Sequence, residues 1–193
     1  MRKKILILLC LSLTLFAVEP TNKYLDDTKF DFTDLRIFGG LEGGYHYTKA
    51  SESFDDRSYS YGAYIGIPID DLEIILKRKI SLTNDFELEN TSFTLNMPIS
   101  GTGSRALYLG LIGGKSEVTY GENIKTQYNL LTTTNDGNFY GGHLGKRYKF
   151  SENFYVRIEL EYLKYNLSSK TTTNENVAIE NSLELIYGVE YRF

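Results

Sequence analysis

The chain has 193 residues, a net charge of −4, and 14% aromatic residues supplied by 16 Tyr and 11 Phe with no Trp. One cysteine and two isolated histidines leave no disulfide framework and no ligand spacing for a metal site. The acidic balance argues against nucleic acid as a partner.

At the N-terminus, Arg2, Lys3 and Lys4 precede an apolar run from Ile5 to Phe16, and Ala17 supplies a small residue for cleavage. This order predicts a signal peptide over residues 1–17. The run falls short of the roughly 20 apolar residues that a spanning helix needs. Cys10 lies inside it, so the exported chain carries no thiol. Removing the three basic residues from 21 Lys+Arg leaves 18 against 25 Asp+Glu, a net charge of −7. Residues 18–33, with Asp26, Asp27 and Asp31 among aromatics, read as a short acidic leader. Residues 34–193 contain no Pro-rich or Ser-rich linker and read as one domain.

That domain alternates with a period of two. Leu35, Ile37, Gly39, Leu41, Gly43, Tyr45 and Tyr47 form one apolar face, and Tyr59, Tyr61, Ala63, Ile65 and Ile67 form the next. Shorter alternations follow at Leu72/Ile74/Leu76, Phe93/Leu95/Met97, Leu107/Leu109/Leu111, and Tyr140/Gly142/Leu144 with Tyr148/Phe150. Phe154, Val156, Ile158, Leu160 and Tyr162 oppose Arg157, Glu159 and Glu161. The last segment runs Val177, Ile179, Asn181, Leu183, Leu185, Tyr187, Val189, Tyr191 and Phe193, and its length exceeds the roughly 9 to 11 residues that cross a bilayer at a tilt. Arg78, Lys146 and Lys164 fall on the apolar parity, which predicts snorkelling at strand ends or a bulge that resets the register.

Connections are expected to alternate in length. Residues 68–71, 98–104 and 151–153 read as short turns, whereas 48–57, 82–91, 115–138 and 166–177 read as longer polar loops. Aromatic residues sort with them: Tyr148, Phe150, Phe154, Tyr191 and Phe193 lie near the turns, and Tyr45, Tyr47, Tyr59, Tyr61, Tyr140 and Tyr162 lie nearer the loops. Two interfacial girdles result. These features predict an all-β fold, a transmembrane antiparallel up-and-down β-barrel of eight strands, with both termini on the short-turn side.

The C-terminus, with Phe193 terminal and Tyr191, Val189 and Tyr187 at alternate positions before it, resembles the assembly signal of bacterial outer-membrane proteins. The resemblance implies recognition by the barrel-assembly machinery, a location in the outer membrane of a Gram-negative bacterium, and contact with its lipids, lipopolysaccharide included. Over residues 34–193 the chain is similar to the small eight-stranded barrels, such as the membrane domain of outer-membrane protein A and the opacity-type surface proteins. No soluble peptidoglycan-binding segment is expected after the barrel.

Arg36, Glu42, Glu73, Lys77, Arg147, Arg157, Glu159, Glu161, Glu184, Glu190 and Arg192 take the lumen parity. Side chains about fill the interior of an eight-stranded barrel, so these charges are expected to pair with one another. His46 and His143 also take lumen parity. Barrel lipid A deacylases carry a Ser two residues after their His, but Thr48 and Gly145 stand at those positions here. No catalytic residue is assigned. Acidic pairs Asp55-Asp56 and Asp70-Asp71 read as solvated surface. Gly pairs at 39–40, 43–44, 113–114 and 141–142 lack the strand-to-helix switch of a dinucleotide site, so no cofactor is expected. Glycines of this kind make room for neighbouring rings. The leading expectation is a non-enzymatic outer-membrane protein that supports the membrane and displays loops, including Thr132-Thr133-Thr134 and Thr171-Thr172-Thr173, to a surface ligand. A small porin-like channel is the alternative, and a lipid A-modifying enzyme the third.

Overall fold

The computed structural model describes residues 36–50, 55–69, 72–100, 105–172 and 176–193. The predicted signal peptide, the acidic leader, Leu35 and the Asp70-Asp71 pair lie outside these residues. Eight strands run in order as β1 (Phe38–Ala50), β2 (Asp55–Ile69), β3 (Leu72–Leu82), β4 (Phe86–Ser100), β5 (Arg105–Tyr120), β6 (Thr134–Lys149), β7 (Phe154–Lys170) and β8 (Asn176–Arg192). A short helix, α1 (Glu122–Tyr128), separates β5 from β6. Each strand pairs antiparallel with its sequence neighbours, and β8 closes on β1. No helix among the described residues is long and apolar enough to cross a membrane.

Register fixes the barrel's stagger. The row that starts at Gly39 passes through Ile65, Leu76, Phe93, Gly113, Tyr140, Lys164 and Asn181 and returns to β1 at Lys49. A shift of ten residues on closure makes the strands tilt by roughly 40°. Each row therefore climbs toward the end where β1 meets β2 as it moves from β1 to β8.

Up to about the level of Tyr45, Phe93 and Tyr162, apolar side chains point outward as the period-two reading expected. Leu41, Ile65, Leu76, Leu109, Leu160 and Leu185 are all exposed there. Near the short turns, Phe150 stacks edge-on against Phe154 and Tyr191 against Phe193, with centroids 6.0 and 5.0 Å apart. Tyr45 and Tyr59 make the matching pair toward the other end at 5.6 Å.

Beyond that level the pattern inverts, and here the expected polar loops give way to strand. On β7 the outward residues change from Ile158, Leu160 and Tyr162 to Lys164, Asn166, Ser168 and Lys170, while the buried ones change from Arg157, Glu159 and Glu161 to Leu163, Tyr165 and Leu167. β4 and β5 do the same, turning Leu88, Phe86, Val118 and Tyr120 inward and Glu87, Glu117 and Thr119 outward. The predicted loops 48–57, 82–91 and 166–177 are therefore mostly barrel wall, while 115–138 keeps a long connection over 121–133. The physical reason is environment: where water surrounds the barrel, the buried apolar face must be the inner one.

β8 corrects a second expectation. Alternation places Val177 and Ile179 on the outward face with Leu183, but both are buried inside. The β1–β8 register slips between Lys49 and Ala50, and the β7–β8 register slips between Lys164 and Leu167, so β8 changes face around Glu180 and Asn181. The bulge leaves Glu180 outward, paired with Lys49 at 3.0 Å.

The inverted region holds its own apolar core. Phe86, Leu88, Val118, Phe139, Leu163, Leu167, Val177 and Ile179 pack with Ile124 of α1 and with Leu130. The 121–133 connection is tied down by Gly121 N–H donating to Asp85 C=O at 2.7 Å and Leu131 N–H to Lys170 C=O at 3.1 Å. Asn129 ends α1 in the left-handed conformation, φ 50 and ψ 50, which a short polar side chain tolerates. The result is an apolar stopper across that end of the barrel.

Candidate functional site

Below the stopper, the lumen is filled by a polar network that crosses from wall to wall. Six carboxylates, from Glu42, Glu73, Glu159, Glu161, Glu184 and Glu190, meet five cations, from Lys77, Lys79, Arg147, Arg157 and Arg192. All come from strand positions whose neighbours face out, so the period-two pattern alone aims them inward.

Two clusters make up the network. Nearest the short turns, Arg147 on β6 reaches Glu73 on β3 through two hydrogen bonds of 2.9 and 2.8 Å and Glu190 on β8 at 3.2 Å. Arg192 joins the same two carboxylates. In the middle, Arg157 pairs with Glu42 and with Glu159 at 3.1 Å. Lys77 lies 3.2 Å from Glu42, 3.7 Å from Glu159 and 3.4 Å from Glu161. Lys79 then bridges Glu161 to Glu184, which accepts from Ser60.

Tyrosines join the clusters. Arg157 stacks on the Tyr64 ring at 3.7 Å, and the Tyr64 hydroxyl donates toward Glu190 at 3.5 Å. Tyr108 donates to Glu159 at 2.6 Å while Arg147 lies over its ring at 5.1 Å. Glycines make room for both rings: a Cβ at Gly40 would collide with Tyr64, and one at Gly145 with Tyr108.

Of the charges expected in the lumen, ten meet in this network, namely Glu42, Glu73, Lys77, Arg147, Arg157, Glu159, Glu161, Glu184, Glu190 and Arg192. Arg36 does not. It precedes β1, is exposed, and enters no ion pair among the described residues, because the first inward position of β1 is Phe38. Sequence reasoning missed Lys79, Tyr64, Tyr108 and Ser60. A signal for Lys79 exists, since it shares parity with Lys77, and Ile80 and Leu82 resume the apolar parity of β3 beyond Arg78.

Both histidines are buried in the barrel. His46 Nδ1 lies 3.0 Å from Ser58 Oγ, a serine–imidazole contact that no sequence spacing announced. No carboxylate hydrogen-bonds that imidazole among the described residues, and both side chains are closed off from solvent. His143 Nε2 contacts Asn96 Oδ1 at 2.8 Å, and its Nδ1 faces Glu159 at 3.9 Å. His143, Glu159 and Glu161 bring potential ligand atoms within 4.8 Å of one another. Lys77 already supplies the cation beside both carboxylates, so a metal ion would have to displace it.

Arg78, Lys146 and Lys164 point outward as their parity required. Arg78 reaches up to Glu89 at 2.7 Å, and Lys146 lies over the Tyr148 ring at 5.1 Å. Phe193, Tyr191, Val189 and Tyr187 share the outward face at the closing strand's end.

The chain matches no protein-family model, and no curated protein matches it in sequence. Solved structures do match. Neisserial surface protein A superposes with a TM-score of 0.67 at 15% identity, over 81% of this chain and 97% of that one. The attachment invasion locus protein Ail of Yersinia pestis gives 0.47 at 13% identity, over 82% and 99%. A major outer-membrane protein from Thermus thermophilus gives 0.44 at 14%, over 81% and 99%. The chain shares the fold of the small eight-stranded outer-membrane barrels.

Proposed function

We propose that this protein is an integral, non-enzymatic component of a bacterial outer membrane, exported through its N-terminal signal peptide and inserted by the barrel-assembly machinery. The barrel supports the membrane and holds a strand-walled, polar-surfaced end outside it for contact with a surface ligand. The observation that carries this reading is the inversion along each long strand. An outward apolar belt with charges inside gives way to an outward polar wall with an apolar core inside. A soluble barrel has no reason to hide its charges below one level and its apolar groups above it; a barrel half embedded in lipid does.

The same belt supports lipids, lipopolysaccharide among them, as the neighbours of Leu41, Leu109, Leu160 and Leu185. The presented surface differs from flexible loops. Three of the four connections at that end are short, so recognition falls to the outer wall of β4 to β7 and to the 121–133 connection.

The filled lumen favours this role over conduction, since Lys77 and Arg157 are fully enclosed by carboxylates under an apolar stopper. Against enzymatic work stand the burial of Ser58 and His46 and the lack of a carboxylate on that imidazole among the described residues. Reconstitution of the full-length exported chain in planar bilayers tests the reading. Insertion without unitary current steps is expected, and reproducible steps would instead make it a channel.

A further inference from the structure

Two depressions adjoin on the outer face, the lower lined by β3 to β5 and the upper by β4 to β6. The lower one, about 410 Å³, lies in the apolar belt between Phe93 and Leu111, and its floor is Gly113. A Cβ at Gly113 would meet nothing within 4 Å, so the glycine leaves an open slot rather than relieving a clash. Phe93, 66% exposed, forms one bank. The upper depression starts one outward position higher, at Thr91 and Lys115, and continues to Glu89, Glu117 and Asp136.

Charge along this track is ordered. Register puts Arg78, Thr91 and Lys115 in one row directly above the row of Leu76, Phe93 and Gly113. The next outward row places Glu89, Glu117 and Asp136 side by side on three neighbouring strands. Like charges directly opposite across strands destabilise a sheet. Lys115, Glu117 and Asp136 make no ion pair among the described residues, and Arg78 alone answers Glu89. Rows two residues apart lie about 6.6 Å apart along a strand, a separation that a short flexible linker spans. Going outward, the wall therefore offers an apolar slot, then cations, then carboxylates.

We infer that this track binds one phospholipid with an ethanolamine headgroup. An acyl chain would lie in the Gly113 slot, the phosphate against Lys115 with Arg78 to one side, and the ammonium among Glu89, Glu117 and Asp136. Charge order selects this occupant: a purely anionic headgroup satisfies the cations but extends toward three carboxylates, and a simple amine leaves Lys115 unanswered. The inference rests on the outward belt facing lipid, as proposed above.

The test uses the full-length exported protein in nanodiscs of equimolar phosphatidylethanolamine and phosphatidylglycerol, with native mass spectrometry of lipids retained on release. Wild type should keep one ethanolamine lipid in preference to glycerol lipid. Glu117→Gln combined with Asp136→Asn should reduce that preference by about thirtyfold, as expected for two surface charges worth ~1 kcal/mol each. Gly113→Trp, which fills the slot from the lipid side, should lower retention of both lipids. Equal retention of the two lipids by wild type, a preference unmoved by the double variant, or retention unmoved by Gly113→Trp overturns the site. Circular dichroism in the same nanodiscs reads insertion separately. An inserted barrel without headgroup preference defeats only the lipid site, whereas failure to insert defeats the membrane reading and this inference with it.

Discussion

Arg147 and Glu73 join β6 to β3 across the lumen through two parallel hydrogen bonds, Nη1 to Oε1 at 2.9 Å and Nη2 to Oε2 at 2.8 Å. Glu73 also accepts from Arg192, so one carboxylate on β3 ties the wall to both β6 and β8. Removing it leaves two guanidinium groups with one remaining partner, Glu190. Glu73→Ala should therefore destabilise the refolded barrel by roughly 3 to 5 kcal/mol, the range for breaking a buried pair from one side. Urea unfolding in lipid vesicles measures it. A double-mutant cycle with Arg147→Ala should return a coupling energy well above ~0.5 kcal/mol, the scatter expected of independent sites.

Inversion on β7 makes a paired test. Leu160 faces outward and Leu163 faces inward, only three residues further along the same strand. Leu163→Ala should cost about 2 to 5 kcal/mol, as for a buried leucine in a packed core. Leu160→Ala should cost clearly less, because lipid chains or detergent refill the space. Equal losses at the two positions would argue against a stopper with a packed interior.

The closing strand tests the face assignment. Fluorophores at Leu183, Leu185, Tyr187 and Val189 should be quenched by lipid-borne quenchers, and those at Ser182, Ile186 and Gly188 should not. Ile179, odd-numbered like the quenched set, should stay unquenched because β8 changes face at Glu180 and Asn181. Leu185→Arg should cost about 2 to 4 kcal/mol of stability in bilayers. A flat quenching profile along 182–189 would overturn the barrel's placement in lipid.

Assembly gives a test in cells. If Phe193 and the alternate Tyr191, Val189 and Tyr187 are read by the insertion machinery, Phe193→Ala should lower the amount of protein in the outer-membrane fraction and leave precursor in the periplasm or degraded. Refolding of the same variant in vitro should be nearly normal, since Phe193 sits at the barrel's rim with its ring against Tyr191. Normal yield in cells would sink the signal.

Alternation alone was enough to establish the strand identity, the outward belt and the inward direction of the charges. Side chains alternate at every residue of a strand, so the parity of Leu183 to Phe193 against Glu184 to Arg192 needs no long-range information. Short turns rich in Pro, Gly, Asp and Ser likewise announce themselves locally. Three things required the tertiary structure. Which lumen charges meet, Lys77 with Glu42 and Glu161 for instance, depends on the ten-residue stagger on closure, which no single strand encodes. The bulge in β8 is invisible because Val177, Ile179 and Leu183 keep one parity while the backbone changes face. The strand extensions read as polar loops because their outward residues are polar; that their buried partners Leu88, Val118, Leu163 and Leu167 form a core emerges only when five strand ends and α1 come together. A period says that two faces differ, and the surroundings of the closed barrel decide which face is inside.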